Sequence, residues 1–535
     1  MMQAPDQHTL VLSFNLRVGL IISGQIRDIS RAREGFFRIM DRLGQILSAT
    51  PHTCFFITEA SREYELSLLR DYLTGHNANG TAFLKAYRAD SGTSVDYLAA
   101  ELELRQFFSL LPSLHLELSA TSGADQESPA GAVDEAIIRD CDILILASNG
   151  RAEEDMETIH LLRFARMIGR SLFHIDGESG SILELRNNDR FLETLEHLNT
   201  YNREHVSDQV YESAIARYVH LISRKVIKSG IPPEIVRPLC PTMLPQFARA
   251  HQLAKAYHRR YLWAGNVVYG FSALAVLAVS LQVLFFPDDL RLIWVEVFAI
   301  AVILVFLIGA KIGEWHRKWI DYQFLAERLR TAFFLCITCV RCSTPEPLPY
   351  QTLAHRPNDW MVIAFEQIVE ARPTDHCRLD VPFQPLRNFL LDAWIDSRLT
   401  FYSRESERNS GLYHLTAHIG EALFFFTLVI AIVHASGMEH TGNLPFPASG
   451  QVLATLTLVL PVAGAAIAAI RVQREYLRNS ERYTHIVRHL SSLRNQIHSA
   501  QNKVDLCRLL EEMNELTLRE QQDWRIIFRF RDLEA

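Results

Sequence analysis

Two hydrophobic patterns divide the chain. Up to about residue 180, short apolar runs alternate with stretches whose apolar residues recur every three or four positions. The runs at 17–22, 53–57, 82–87, 114–118, 142–147 and 171–175 predict strands, and segments such as 30–48 and 60–74 predict amphipathic helices between them. In 30–48, Phe36, Phe37, Met40, Leu43, Ile46 and Leu47 share one stripe. Continuous apolar strands joined by helical crossovers predict a parallel sheet covered on both faces, a Rossmann-like α/β domain over 1–180. The polar stretch 119–132 predicts a surface loop.

Beyond residue 250 the pattern becomes uninterrupted apolarity. Tyr261–Phe286 carries no charge in 26 positions, Leu292–Ala310 carries only Glu296, Ile419–Met438 has Glu421 near its start, and Val452–Ile470 contains Pro461. As helices, each is long enough for a hydrocarbon core of about 30 Å. The expected order is a helical connector at 181–250, interrupted by Pro232, Pro233, Pro238 and Pro241, then a transmembrane hairpin with its following helix at 251–342. A second connector at 343–410 leads to a second hairpin with a C-terminal coiled-coil-like helix at 411–535.

Basic residues flank the outer ends of both hairpins: Lys255, Arg259 and Arg260, then Lys311, Arg317 and Lys318, then Arg471, Arg474, Arg478 and Arg482. The loop between the first two spans holds only Arg291, and residues 439–450 hold no Lys or Arg. The positive-inside rule then places both termini and 311–418 in the cytoplasm of a multi-pass inner-membrane protein, in contact with lipid.

The hairpins form a weak internal repeat. Tyr257-His258-Arg259 precedes the first pair and Tyr402-Ser403-Arg404 the second, and a long basic helix follows each. In the second of these helices Ile486, Leu490, Leu493, Ile497, Ala500, Val504 and Cys507 step as a heptad seam, serving either one intramolecular face or association between copies in a homo-oligomer.

Composition narrows the function. The 535 residues carry a net charge of −7, which excludes a globally basic nucleic-acid binder, and no nucleic-acid partner is expected. The N-terminus lacks the basic and apolar segments of a signal peptide. Eight cysteines without framework spacing indicate a reducing compartment; Cys336, Cys339 and Cys342 fall on one helical face. His414 and His418 are one helical turn apart without an evident third ligand, so no metal site is expected.

Two strand ends carry candidate binding chemistry. The first strand runs into Ser23, Gly24, Gln25 and Arg27, and the fifth into Ser148, Asn149 and Gly150. Glycine lets the backbone approach a phosphate, a helix N-terminus offers free N–H groups, and arginine pairs with phosphate through parallel hydrogen bonds. Plain turn chemistry is the alternative reading of the same residues. Within the spans, Glu296 and Glu421 are candidates to line a polar path, since intramembrane charge is costly; proximity to an interface is the alternative. Gly464 and Ala468 form a small-residue pair suited to close helix packing.

The series VGLIISGQIRDI, ELRQFFSLL, AIIRDCDILILASNG and IHLLRFARMIGRSLFHID resembles the SLOG domain, a Rossmann-like relative of the LOG and Smf proteins. Gly24, Gln25 and Arg27 are the nearest matches to that family's Gly-His-Arg turn, with Gln25 in place of His and Ile26 as an insertion. No Gly-Gly pair occurs; the acidic stretch 152–158, ending in Thr158, stands at the place of the family's glycine-rich signature, and Asp176 ends the following strand. The segments AHQLAKAYHRRY, EWHRKWIDYQFLAERLRTAFF and WIDSRLTFYSRESER resemble the SLATT family of membrane effectors.

The resemblance implies an effector of a bacterial nucleotide-signalling, anti-phage or conflict system. A nucleotide-derived second messenger would bind Ser23, Gly24, Gln25, Arg27, Ser148, Asn149, Gly150, Thr158 and Asp176, and would switch the spans to a pore or membrane-disrupting state. No tightly bound cofactor and no catalytic residue are expected. One alternative is a membrane-anchored scaffold whose SLOG domain is degenerate. Another is a LOG-type N-glycosidase, for which Glu154 and Glu157 would be the carboxylates.

Overall fold

The computed structural model describes residues 10–23, 26, 28–76, 82–89, 94–109, 111, 114–121, 129–149, 156–184, 188–288, 291–338, 359–374, 381–436 and 449–529. They form two compact units, one comprising the described residues up to Glu204 together with 359–367, the other the remainder from His205 onward.

The first unit is an α/β sheet of seven strands: β1 (Phe14–Ile22), β2 (His52–Glu59), β3 (Ala82–Ala89), β4 (Leu114–Thr121), β5 (Ile143–Ser148), β6 (Ser171–Asp176) and β7 (Ile182–Glu184). Their order is β4-β3-β2-β1-β5-β6-β7. All six expected strands are present and mutually parallel; the seventh pairs antiparallel with β6, placing Ile175 opposite Ile182.

Helices α1 (Ile29–Ile46), α2 (Glu63–His76), α3 (Ser94–Phe107), α4 (Pro129–Asp140) and α5 (Met156–Met167) are the crossovers. On one face Ile21, Ile57, Leu144, Leu146 and Leu172 pack under Val133, Ile137, Leu161 and Ala165 of α4 and α5. On α1, Phe36 meets Tyr72 edge-on at 5.5 Å, and a Cβ on Gly35 would lie 2.7 Å from Ile175, so α1 lies close over β6.

Residues 181–204, expected at the head of the connector, belong to this unit. Helix α6 (Asn188–Arg203) is tied to it by Asn199, which accepts from the Ala49 amide at 2.7 Å, and by Asn202, which accepts from the Leu12 amide at 3.0 Å and donates to its carbonyl at 2.9 Å.

The second unit is helical. α7 (Asp208–Ser229) ends on Gly230 in the left-handed conformation, and the prolines confine the next residues to α8 (Pro233–Val236) and one 3-10 turn. There follow α9 (Cys240–Phe285), α10 (Arg291–Ile312), α11 (Trp315–Ile337), α12 (Trp360–Glu370), whose first part lies in the α/β unit, α13 (Phe383–Leu390), a π-helical turn (Leu391–Ile395), α14 (Asp396–Ala435), α15 (Ser449–Arg474), α16 (Tyr476–Ser499) and α17 (Lys503–Arg529). Four of them, α9, α10, α14 and α15, are long and apolar enough to cross a membrane. Helix α15 continues through Pro461. Gly464 sits against Phe424 of α14, where a Cβ would lie 3.2 Å from the ring, so this small residue packs the hairpin to which it belongs.

The repeat is a repeat of structure. α9 packs on α10 and α11 as α14 packs on α15 and α16. Tyr257 meets Tyr322 at 5.7 Å in the first half, and Tyr402 meets Tyr483 at 5.4 Å in the second. Glu314 and Glu475 are the non-glycine residues with positive φ among those described, at 49° and 48°; each stands just after a span and pairs with the arginine three residues on, Arg317 or Arg478.

The heptad seam is corrected. Ile486, Leu490, Leu493 and Ile497 are buried within the chain, but α16 ends at Ser499 and α17 starts at Lys503, leaving Val504 78% exposed. A break at Ala500–Asn502 resets the helical phase, so the expected single coiled-coil-like helix is two helices.

Candidate functional site

In the sheet, the chain progresses from β1 to β2 on one side and from β5 to β6 on the other. β1 and β5 are therefore the two strands whose loops diverge, and a crevice beyond their carboxyl ends is where open α/β sheets place ligands. These are the strands that lead into Ser23–Arg27 and Ser148–Gly150. Gly24, Gln25, Arg27 and Gly150 lie outside the described residues.

Ser23, Ser148, Asn149 and Asp176 are brought to one edge. The Ser23 amide donates to the Ala147 carbonyl at 2.9 Å, and the Gly177 amide donates to the Ser148 carbonyl at 2.8 Å. A Cβ on Gly177 would stand 2.9 Å from Ile26 and 3.3 Å from Asn149 Oδ1, so the turns after β1, β5 and β6 converge on a residue without a side chain. Asp176 faces Ser148 in register and accepts from the Glu178 amide at 2.9 Å and the Ser179 hydroxyl at 2.5 Å, which shapes the turn before β7. Thr158 is fully buried in the first turn of α5.

Two features of this edge were not read from the sequence. The Ser148 hydroxyl lies 2.8 Å from His174 Nε2, and both residues are buried. Burial lowers the His174 pKa, against the pull of Asp176, so the ring is neutral at pH 7 and hydrogen-bonds without charge. A polar residue inside the apolar run SLFHID was the available signal.

The second is a buried charge network. Glu65 accepts from the amide of Ile22, the last residue of β1, at 2.9 Å. Arg62 bridges Glu59 at 2.7 Å, Asp134 at 2.9 Å and Glu65 at 3.4 Å. Glu65 and Asp134 are each 1% exposed. Burial pushes the Glu65 carboxyl up to about 7, although Arg62 and the Ile22 amide both favour its charged form. A carboxyl pushed up by burial therefore lies against the last amide of β1, next to Ser23.

This edge offers hydroxyls, amides and one neutral imidazole, with acidic groups behind them. Residues 151–155, among them Glu154, and the side chain of Glu157 lie outside the described set. Among the described residues no group of three potential metal ligands is assembled.

In the spans, Glu296 is half-buried on α10, and the Glu421 side chain is 74% exposed on α14, 3.3 Å from His418 Nδ1. Neither is enclosed by its own hairpin. No protein-family model, curated protein or solved structure matches this chain.

Proposed function

We propose that the chain is a signal-gated membrane effector. Its α/β unit binds a nucleotide-derived signal at the β1/β5 switch point, and its four spans respond by forming a pore between copies. The SLOG and SLATT resemblances give the reading its bacterial signalling context. The observation that carries it is the strand order: the two loops with the phosphate-binding residue pattern leave the two strands that flank the crevice. Basic flanks support cytoplasmic termini in an inner membrane. The exposure of Glu421 supports a polar path shared between copies, since four spans enclose no wide channel alone.

Calorimetry on the detergent-solubilised chain with a panel of nucleotides tests the sensor. Arg27→Ala weakens binding of the responding nucleotide by about 1.5–3 kcal/mol, the scale of a hydrogen bond to a charged group. The same nucleotide triggers ion flux from liposomes containing the wild type. Unaltered affinity in the variant removes Arg27 from the site, and a bound ligand without flux refutes the pore.

A further inference from the structure

Outside the spans, a cavity of about 40 Å³ lies between α11 of the first half and α14, α16 and α17. Its wall includes Trp394, Arg398, Tyr402, Arg482, His489 and Glu520. Arg398 and Arg330 both pair with Glu327, Arg330 at 3.0 and 3.1 Å. Arg482 lies 3.6 Å from the Glu520 carboxylate and donates to the Glu520 carbonyl at 3.1 Å. The wall itself thus holds two guanidiniums, Arg398 and Arg482, and one carboxylate, Glu520, with the Arg330–Glu327 pair beside it, so the balance in the wall is positive. Burial alone would raise the Tyr402 phenol, yet Arg398, Arg482 and Arg330 hold it below its ordinary pKa, in keeping with that balance.

Two further observations mark the cavity as built. Trp394 comes from the π-helical turn Leu391–Ile395, a widened geometry often found at functional sites. The first half inverts the charge: Asp321 stands where the second half has Arg482, and it pairs with Arg525 of α17 at 3.6 Å, both buried. The cavity is also remote from lipid, because Tyr402 precedes Ile419 in the same helix by about 25 Å of axis.

We propose that this cavity binds a phosphoryl-sized oxyanion, held by Arg398, Arg482 and the Tyr402 hydroxyl and supplied as inorganic phosphate or as the phosphate of a nucleotide. The volume corresponds to roughly three water positions. That admits one tetrahedral anion and leaves a base and sugar outside. The site is separate from the sheet edge of the α/β unit and does not depend on how that edge is read.

Isothermal titration of the full-length detergent-solubilised protein with inorganic phosphate and with AMP, at constant ionic strength in chloride, tests it. Saturable phosphate binding is expected, weakened at least about tenfold by Arg398→Gln and by Arg482→Gln, the scale of a lost charge-assisted hydrogen bond. Tyr402→Phe weakens it roughly threefold, and Tyr257→Phe in the first half leaves it unchanged. AMP that displaces phosphate and binds more tightly assigns the nucleotide source; phosphate binding that AMP does not disturb assigns the free anion. Absence of saturable phosphate binding, or phosphate affinity equal to wild type in both arginine variants, overturns the proposal. Should Arg398→Gln fold poorly because Glu327 loses a partner, Arg482→Gln and the isosteric Tyr402→Phe decide.

Discussion

The two helical halves share a backbone plan and join it with different chemistry. In the first, Tyr261 of α9 stacks on His316 at 4.5 Å and on Trp319 at 5.9 Å. At the corresponding crossing of the second, the Ser406 hydroxyl donates to the Ser480 carbonyl at 2.9 Å, the Ser480 hydroxyl returns the bond at 3.0 Å, and Thr484 adds a contact at 2.8 Å. The aromatic junction rests on area and dispersion, which tolerate small slips. The hydroxyl junction rests on directional bonds that fix the distance between two backbones. One architecture is thus held firmly in register on one side and by a broader contact on the other.

The largest expected effect is at the aromatic junction. Tyr261→Ala removes a buried ring and destabilises the solubilised protein by about 3–5 kcal/mol in denaturant titration. Ser406→Ala costs about 1–3 kcal/mol, because the second half loses a small group but leaves buried polar partners unmatched. Equal losses at the two sites would break the distinction between the junctions.

The smallest effect separates the two left-handed glutamates. Glu314 is 44% exposed at its side chain, whereas Glu475 is 4% exposed. Glu314→Gly relieves the positive φ and stabilises by about 1 kcal/mol in a thermal melt. Glu475→Gly gains the same relief but loses a buried carboxylate paired with Arg478, so its melting temperature does not rise. A rise in both variants would show that the carboxylate at 475 contributes nothing.

Legibility followed the range of the signal. The six parallel strands and the four spans were legible because each is a self-contained apolar run, such as the fifth strand's ILILA core or the charge-free stretch 261–286. β7 was not, since Ile182–Glu184 is one half-buried and two exposed residues whose pairing is to β6. The divergence of the β1 and β5 loops depends on strand order, which periodicity does not encode. The Arg62–Glu65–Asp134 network was hidden for a similar reason: Arg62 and Glu65 look like a solvated helix start until α4 covers them. The seam through Val504 failed because heptad counting carries across a loop as readily as along a helix.

The paired glutamate breaks also make the two spans of each hairpin unequal in how they join the rest of the chain. α9 and α14 run without interruption from their segments before the spans into the spans, whereas α10 and α15 each join the next helix, α11 or α16, through a single left-handed residue. Each half therefore consists of one stiff shaft and one jointed arm. Continuity along the chain thus ties the first and third spans rigidly to the helices beyond them, while the second and fourth reach theirs through one residue each, Glu314 and Glu475.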